Sequence, residues 1–558
     1  MKKILSLLIT GFLFVGCSDF LDSENYTKKT TSNWPKNVDD AEQVIAGIYN
    51  AINQEYSADY ICSHFFVSEI ASDERFGGGG ENDRGWQALD KLMNFGPSMF
   101  EPYWRRRYQG INRANLAIET LDNVAWENDE QRNQLVGEAY FLRGYFYFTL
   151  IQIFGEVPLV TQTLPENLPK SSATEVYKQI TSDLKQAIEL LPAKPYTSVL
   201  SGHATKWAAE ALMGRVFLFY TGYYKQQTLP LVEGGEITSS QVVSWLEDCV
   251  TNSGHSLVSD YRNIWAYTNE YTGKDYDYVK ENGLKWEGDG CKESIFAIKF
   301  ANTGSTYRNS ICLGFSLRQH NGKENTFPWG QGWGGAPVSS SLWDEWKIAE
   351  PTDIRREGSI IDVENTLPDF IWGSDSQMED CGYWQKKYMG ITCYDGSGNF
   401  QVSYTMPMFN YSGGWANSYN QDLILIRLAD VYLMLSELKQ EPEGINIVRA
   451  RAGLPPISNY SLEALKKERR FELCFEGQRY FDLMRWGDAA EALGRQEGVI
   501  VKNKNVPVPV KPFAGGYKAR YQATGGFWPI PNTQIVLSEG VLTQNPGWGT
   551  PDADYAGW

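Results

Sequence analysis

The segment Ser461–Gly487, SLEALKKERRFELCFEGQRYFDLMRWG, decides the fold, because helix signals and charged residues are unusually dense in it. Ser461 can cap a helix, and Glu463 lies in the first turn, where the helix dipole favours a carboxylate. An apolar face follows at helical spacing and consists of Leu465, Phe471, Cys474, Phe475 and Tyr480. The segment is therefore predicted to form one helix.

The remaining positions of this segment carry an unusual number of charges. Glu468, Glu472 and Glu476 recur at intervals of four residues. The charged residues placed to pair with them are Arg469, Arg470, Arg479, Asp482 and Arg485. Because an unpaired buried charge is costly, we expect a helix packed on several sides with its charges in pairs, and we assign Arg469, Glu472 and Asp482 to internal pairing.

The spellings ERRFEL and EGQRYFDLMRWG also resemble the C-terminal signature of the SusD/RagB family of outer-membrane nutrient-capture lipoproteins. Three further segments resemble parts of that family: NQDLILIRLADVYLMLSEL (420–438), INIVRARAGLPPI (445–457) and WPIPNTQIVLSEGVLTQNPGW (528–548). The resemblance implies a mostly α fold on a scaffold of helical pairs similar to tetratricopeptide repeats. It also implies a function in binding without cleavage, with a SusC-like TonB-dependent transporter as partner.

Composition limits the classes of ligand. The 558-residue chain has a net charge of −17, which argues against a nucleic-acid partner, since phosphate binding needs clustered Lys and Arg. It contains 19 Trp and 32 Tyr, whose rings pack cores but also bind sugars. The eight cysteines and four histidines show no zinc-site spacing. Seven cysteines remain besides Cys17, and no disulfide is predicted.

The N-terminus has the pattern of a lipoprotein export signal. Residues 1–16 combine two lysines with a short apolar run, and Gly16 precedes Cys17, the expected lipidation site. Residues 17–37 read as a lipidated, flexible tether. The sequence after Cys17, SDFLD, is similar to surface-export signals of such lipoproteins. We therefore expect a lipid anchor in the outer membrane and exposure at the cell surface.

The rest of the chain is divided into three parts. Residues 38–260 are predicted to form the helical scaffold, with helices at Val38–Ala58, Tyr103–Leu121, Asn133–Phe154, Ser172–Leu191 and His203–Tyr220. Small residues such as Gly144 and Gly214 predict close helix contacts. Residues 261–415, rich in glycines, aromatic residues and short β-prone runs, are predicted to be an irregular ligand-binding insertion. Residues 416–558 hold the family-like C-terminal helices and closing segment.

Tryptophans in loops are the predicted sugar platform, because the apolar face of a sugar ring packs on an aromatic ring while polar groups bind its hydroxyls. The candidates are Trp86, Trp286, Trp329 and Trp333, then Tyr276 and Tyr278, with Asp73, Arg75 and Asn82 as polar partners. Four of these polar and aromatic residues share the glycine-rich segment 68–86, which is predicted to be either a ligand loop or an ordinary surface loop. A tryptophan beside glycine or proline equally suits a plug that fixes a loop to the core.

No catalytic or cofactor motif is found in the sequence. Gly330, Gly332 and Gly335 match a dinucleotide-binding pattern, but Pro337 follows and no strand-to-helix context is evident, so that interpretation is rejected. We therefore expect a protein that binds an oligosaccharide or polysaccharide and needs no cofactor. One alternative is RagB-like peptide capture with the same fold. Another is a glycoside-active enzyme, which needs only two carboxylates at a suitable separation.

Overall fold

The computed structural model describes residues 34–549, except residues 95, 97, 164–166, 302–306, 319–323, 375, 411, 512 and 514. The predicted signal peptide, the lipidation site Cys17 and most of the tether lie outside these described residues. Within the described part of the chain, no helix is long and apolar enough to cross a membrane.

Helices dominate the structure. Those of the first half are α1 (Val38–Ser57), α2 (His64–Ile70), α3 (Arg84–Asp90), α4 (Glu101–Thr120), α5 (Asp129–Phe154), α6 (Ala173–Leu190), α7 (Lys206–Tyr223), α8 (Ser239–Asn252), α9 (Glu270–Gly273) and α10 (Asp277–Glu281). Those that follow are α11 (Ser310–Phe315), α12 (Ser340–Ala349), α13 (Ile354–Ser359), α14 (Val363–Thr366), α15 (Thr405–Phe409), α16 (Leu428–Lys439), α17 (Glu443–Arg451), α18 (Leu462–Leu473), α19 (Arg479–Trp486), α20 (Ala489–Gly494), α21 (Tyr517–Thr524) and α22 (Asn532–Leu537).

The strands are short and occur in pairs. They are β1 (Leu229–Pro230), β2 (Glu236–Ile237), β3 (Ser294–Ile298), β4 (Leu317–Arg318), β5 (Gln331–Gly332), β6 (Ile360–Asp362), β7 (Tyr383–Gln385), β8 (Cys393–Tyr394), β9 (Phe400–Gln401), β10 (Leu423–Arg427), β11 (Ile500–Asn503) and β12 (Val506–Pro509). Strand β4 runs parallel to β5, and the other pairs are antiparallel. In the pair β3–β10, Leu423 lies opposite Ile298 and Arg427 opposite Ser294, which joins the insertion to the C-terminal part.

The predicted scaffold helices are confirmed, and consecutive long helices pack side by side from α4 to α8. Side chains cap several of them: Asn37 accepts from the Asp40 N–H at 2.9 Å, and Thr238 forms a capping box with Gln241. The close contact expected at Gly144 is present, because an added Cβ would lie 3.1 Å from the Leu184 side chain. Small residues thus set the spacing between neighbouring helices.

The prediction of one helix over Ser461–Gly487 was wrong. Ser461 does cap α18, accepting from the Ala464 N–H at 3.1 Å, but the helix ends at Leu473 and α19 starts at Arg479. Between them, Phe475 and Gly477 have φ of +64° and +74°, which no α-helix can include. The Gly477 N–H instead donates to Glu69 Oε1 at 2.7 Å. The turn therefore fixes α18 and α19 to the N-terminal part of the chain.

Glu472 of α18 and Glu476 of the following turn belong to a buried ion-pair network, defined here by Glu293, Arg355, Arg427, Arg451, Glu472 and Glu476. Glu472 contacts Arg355 Nη1 at 2.9 Å and Arg427 Nη1 at 2.5 Å, and it also pairs with Arg451. Each of these side chains is at most 5% exposed. Burial alone would raise the pKa of Glu472, but the guanidinium groups of Arg451, Arg427 and Arg355 hold that pKa well below its usual range.

The expected internal pairing is therefore confirmed, although the partners of Glu472 come from other elements and not from its own segment. Arg469 and Asp482, by contrast, do pair within the segment, with Arg469 Nε 2.8 Å from Asp482 Oδ2. The network joins α13, β10, α17 and α18, so the insertion and the C-terminal part of the chain meet at one group of buried charges. Buried charge of this kind is tolerated only when every member has a partner.

The insertion shares its core with the scaffold. Phe296 of β3 packs edge-on against Phe141 of α5 with ring centroids 4.9 Å apart. The seven cysteines of the described residues are all buried free thiols, and no grouping of metal-ligating side chains is found among the described residues.

Candidate functional site

A pair of tryptophans forms an open aromatic surface on the insertion. Trp333 follows β5 and is 40% exposed, more than any other tryptophan in the described ranges. Its ring centroid lies 5.4 Å from that of Trp415, and the two planes meet at 69°. Trp415 begins a single 3₁₀ turn, Trp415–Asn417, and is half-buried. We name Trp333 and Trp415 the tryptophan pair; together they present angled apolar surface to solvent.

Polar groups surround the tryptophan pair. Arg308 holds the turn after Trp415, since its Nη1 donates to Ala416 O at 2.8 Å and to Asn417 Oδ1 at 2.6 Å. On the other side, Arg318 Nη1 donates to Trp333 O at 3.3 Å and lies 3.5 Å from Asp83 Oδ2. Both guanidinium groups are half-buried and are fixed by these bonds. An aromatic surface edged by donors and acceptors suits a ligand that is apolar on its face and polar at its rim.

The glycine-rich segment holds Trp333 in place by backbone contacts. The Gly79 N–H donates to Gly334 O at 2.6 Å, and the Ala336 N–H donates to Gly77 O at 3.0 Å. Gly77 to Gly80 are buried. The segment is thus neither a flexible hinge nor an ordinary surface loop up to Gly80; only its tip, including the exposed Asn82, reaches solvent.

Replacing Gly78 with alanine is expected to destabilise the fold. Gly78 has a φ of +67°, and an added Cβ would lie 2.6 Å from Gly334 O. A left-handed alanine alone costs about 1 to 3 kcal/mol, and the clash with backbone adds to this. Gly234 is the matched control, because its φ is +86° but nothing lies within 4 Å of its added Cβ. Urea denaturation should show a clearly larger loss for Gly78→Ala; equal losses would mean that the backbone contact is unimportant.

Four predicted site residues lie in the core and leave the candidate set. Trp86 is 4% exposed and Trp329 is 1% exposed, because each ring packs against the core and fixes its loop there. Asp73 accepts from Arg479 Nε at 2.7 Å. Arg75 donates to Glu69 Oε2 at 2.6 Å and lies over the Phe315 and Phe475 rings. All four side chains are buried, so none presents a surface to a ligand that approaches from solvent.

The predicted residues Trp286, Tyr276 and Tyr278 lie in two separate, half-buried aromatic groups. The ring centroid of Tyr276 lies 5.8 Å from that of Tyr278 and 6.4 Å from that of Phe327. Trp286 packs edge-on against Tyr404 at 5.8 Å, and its indole N–H donates to Ile264 O. The ring contacts of the described residues do not connect either group to the tryptophan pair.

A buried lysine lies beside the first of these groups. Lys386 Nζ is 4.3 Å from the centroid of the Tyr278 ring. Burial lowers the pKa of Lys386 to about 7. Tyr276 and Tyr278 remain secondary candidates, with the Lys386 amine against the ring of Tyr278.

Sequence reasoning missed Trp415, Arg308 and Arg318. Trp415 does carry the signal that ranked Trp333, since it follows Gly413 and Gly414 in a segment without helical period. The arginines carry no such signal, because their place at the tryptophan pair depends on contacts between residues far apart in the chain.

Comparisons with known proteins agree with this architecture. Residues 19–218 match a SusD-like family described as starch-binding and associating with the outer membrane, and residues 292–548 match the SusD family. A SusD-like protein of Formosa agariphila is 24% identical over 541 residues, covering 89% of this chain and 95% of the relative.

Solved structures show the same fold. A laminarin-binding SusD-like protein has a TM-score of 0.70 and 26% identity, and the match covers 92% of this chain and all of that one. Surface glycan-binding protein A from Bacteroides thetaiotaomicron, solved with laminarihexaose, has a TM-score of 0.69 and 20% identity, covering 91% of this chain and 99% of that one.

Proposed function

Because the chain belongs to the SusD family, we propose that it is a cell-surface lipoprotein that binds an oligosaccharide or polysaccharide. It delivers this ligand, without cleaving it, to a TonB-dependent outer-membrane transporter of the SusC kind. The tryptophan pair, exposed and edged by fixed polar groups, is the observation that carries the proposal.

The chemistry of the tryptophan pair favours a neutral, ring-shaped ligand. The two rings meet at 69°, so a chain that bends can contact both of them. Arg308 and Asn417 lie at the edge of Trp415, where they can reach sugar hydroxyls. The laminarin-binding relative, at 26% identity, makes β-glucans the first ligands to try.

The binding test is affinity electrophoresis of protein that lacks the proposed signal peptide and lipidation site. Gels contain laminarin or one of a panel of other plant, fungal and host polysaccharides, and reducing ends are assayed afterwards. Retardation by a glycan without new reducing ends supports capture and names the substrate class. New reducing ends would instead indicate the glycoside-active enzyme. Free migration in every glycan, with binding to peptides, would indicate RagB-like capture.

The anchor and the transporter need a separate test. Lipidation at Cys17 is proposed from the sequence, and residue 17 lies outside the described residues. Extraction of native membranes in mild detergent should recover the protein together with a TonB-dependent barrel. Cys17→Ala should release the protein from the membrane. Recovery of the protein alone, with no barrel, would contradict delivery to a transporter.

A further inference from the structure

A large cavity lies between the scaffold and the insertion, and neither Trp333 nor Trp415 lines it. It has a volume of about 820 Å³ and is bounded by α1, the start of α5, the segment 192–203 and the end of β3. This volume is within the usual range for small-molecule sites, roughly 300 to 1,000 Å³. Nothing in the proposed function uses this cavity.

Five carboxamide side chains contribute to the wall of the cavity. They belong to Asn50, Asn53, Asn128, Gln131 and Gln134. A carboxamide both donates and accepts hydrogen bonds, and so does a hydroxyl group, so the two are well matched. Gln131 Oε1 is buried and has no hydrogen-bond partner among the described residues. A buried acceptor without a partner is unfavourable, and a rotation of the Gln131 side chain, which lines the cavity, would bring this oxygen to a ligand hydroxyl.

The charged groups on the wall, apart from the exposed Glu42 of α1, are paired. Glu138, just behind the wall, accepts from Tyr49 Oη at 2.7 Å and from Gln134 Nε2 at 2.6 Å, and His203 Nδ1 lies 2.9 Å from it. Lys194 pairs with Glu130 at 2.5 Å, and Lys299 pairs with Asp422. A cavity with such paired charges favours a neutral ligand over an anion or a cation.

The cavity and the tryptophan pair are neighbours. Tyr307 lines the cavity and is 38% exposed. The next residue, Arg308, holds the turn that carries Trp415. An exposed aromatic residue of the cavity wall is thus followed directly in the chain by the arginine that holds Trp415, which brings the two sites close enough for one glycan chain to span them.

From this geometry we propose that the cavity is a second sugar site, which holds a further part of the glycan chain that the tryptophan pair binds. Its ligand is neutral and rich in hydroxyl groups, and long chains occupy both sites while short ones occupy only the tryptophan pair. Occupation of two linked sites raises affinity without any change at the first. This proposal rests on glycan capture as the function of the protein.

The test fills the cavity and compares ligands of two lengths. Ala46 is an exposed residue of α1 on the cavity wall, so Ala46→Trp places a large ring in the cavity without disturbing the core. We expect at least a tenfold loss of affinity for laminarin by calorimetry and less than a twofold change for laminaritriose. Ala125→Trp, at an exposed alanine that does not line the cavity, should leave both affinities unchanged.

Gln131→Leu is a second variant that removes the unpartnered carboxamide with little change in volume. It should weaken laminarin binding about three- to tenfold at an unchanged denaturation midpoint. If both variants bind laminarin as well as the unmodified protein does, the cavity proposal is overturned and glycan capture stands. If the unmodified protein binds neither laminarin nor laminaritriose, capture of this glycan class fails and the cavity proposal falls with it.

Discussion

Replacing Glu472 with alanine is expected to lower the free energy of unfolding by about 3 to 5 kcal/mol, because it breaks a buried ion-pair network. Glu472 is the shared partner of Arg355, Arg427 and Arg451, and it is fully buried. Its removal leaves three buried guanidinium groups short of a partner and a cavity among them. Urea denaturation followed by circular dichroism should show a large fall in the midpoint.

Two further variants separate charge from packing. Glu472→Gln keeps the shape of the side chain and removes the charge, so it should retain most of the destabilisation. Glu463→Ala, in the same helix, removes a carboxylate that is 82% exposed and should cost less than about 1 kcal/mol. A loss at Glu472→Gln as small as that at Glu463→Ala would contradict the role given to the network.

Replacing Trp333 with alanine is expected to weaken glycan binding about thirtyfold, or about 2 kcal/mol, at a nearly unchanged denaturation midpoint. The affinity falls because Trp333 supplies the most exposed ring of the tryptophan pair. The midpoint changes little because 40% of the side chain is already in solvent. Calorimetric titration with the glycan that retards the protein in gels gives the affinity.

Trp86→Ala is the matched control. Trp86 is 4% exposed and packs against Phe66, so the variant should lose about 3 to 5 kcal/mol of stability. Unchanged affinity in Trp333→Ala, together with a lower midpoint, would show that Trp333 is a packing residue and not a ligand platform.

The scaffold could be predicted from the sequence because helical periodicity is a local signal. The predicted helix Val38–Ala58, for example, is observed at Val38–Ser57. The break between α18 and α19 was not predicted, because apolar residues continue at helical spacing through it. Only the contact of Gly477 with Glu69, 408 residues away in sequence, shows why the chain turns there.

The site was harder to predict, since the exposure of a ring depends on packing between distant segments. Trp86 and Trp333 both lie beside glycines in sequence. The Trp86 ring nevertheless packs under Gly79 and Gly335, whereas the Trp333 ring is open to solvent. The pairing of Asp73 with Arg479, 406 residues away in sequence, likewise required the folded chain. Residue type and neighbouring glycines therefore identify a set of candidate ligand-binding residues. Contacts between distant segments decide which of these residues are exposed to a ligand.

The most direct test of the tryptophan pair as a glycan platform is a crystal structure of the protein with the glycan that retards it in gels. We expect a sugar ring stacked on Trp333, with its hydroxyls bonded to groups at the edge of the pair such as Arg308 or Asn417. Sugar bound only at the group around Tyr276 and Tyr278, or at Trp286, with Trp333 free, would contradict this account.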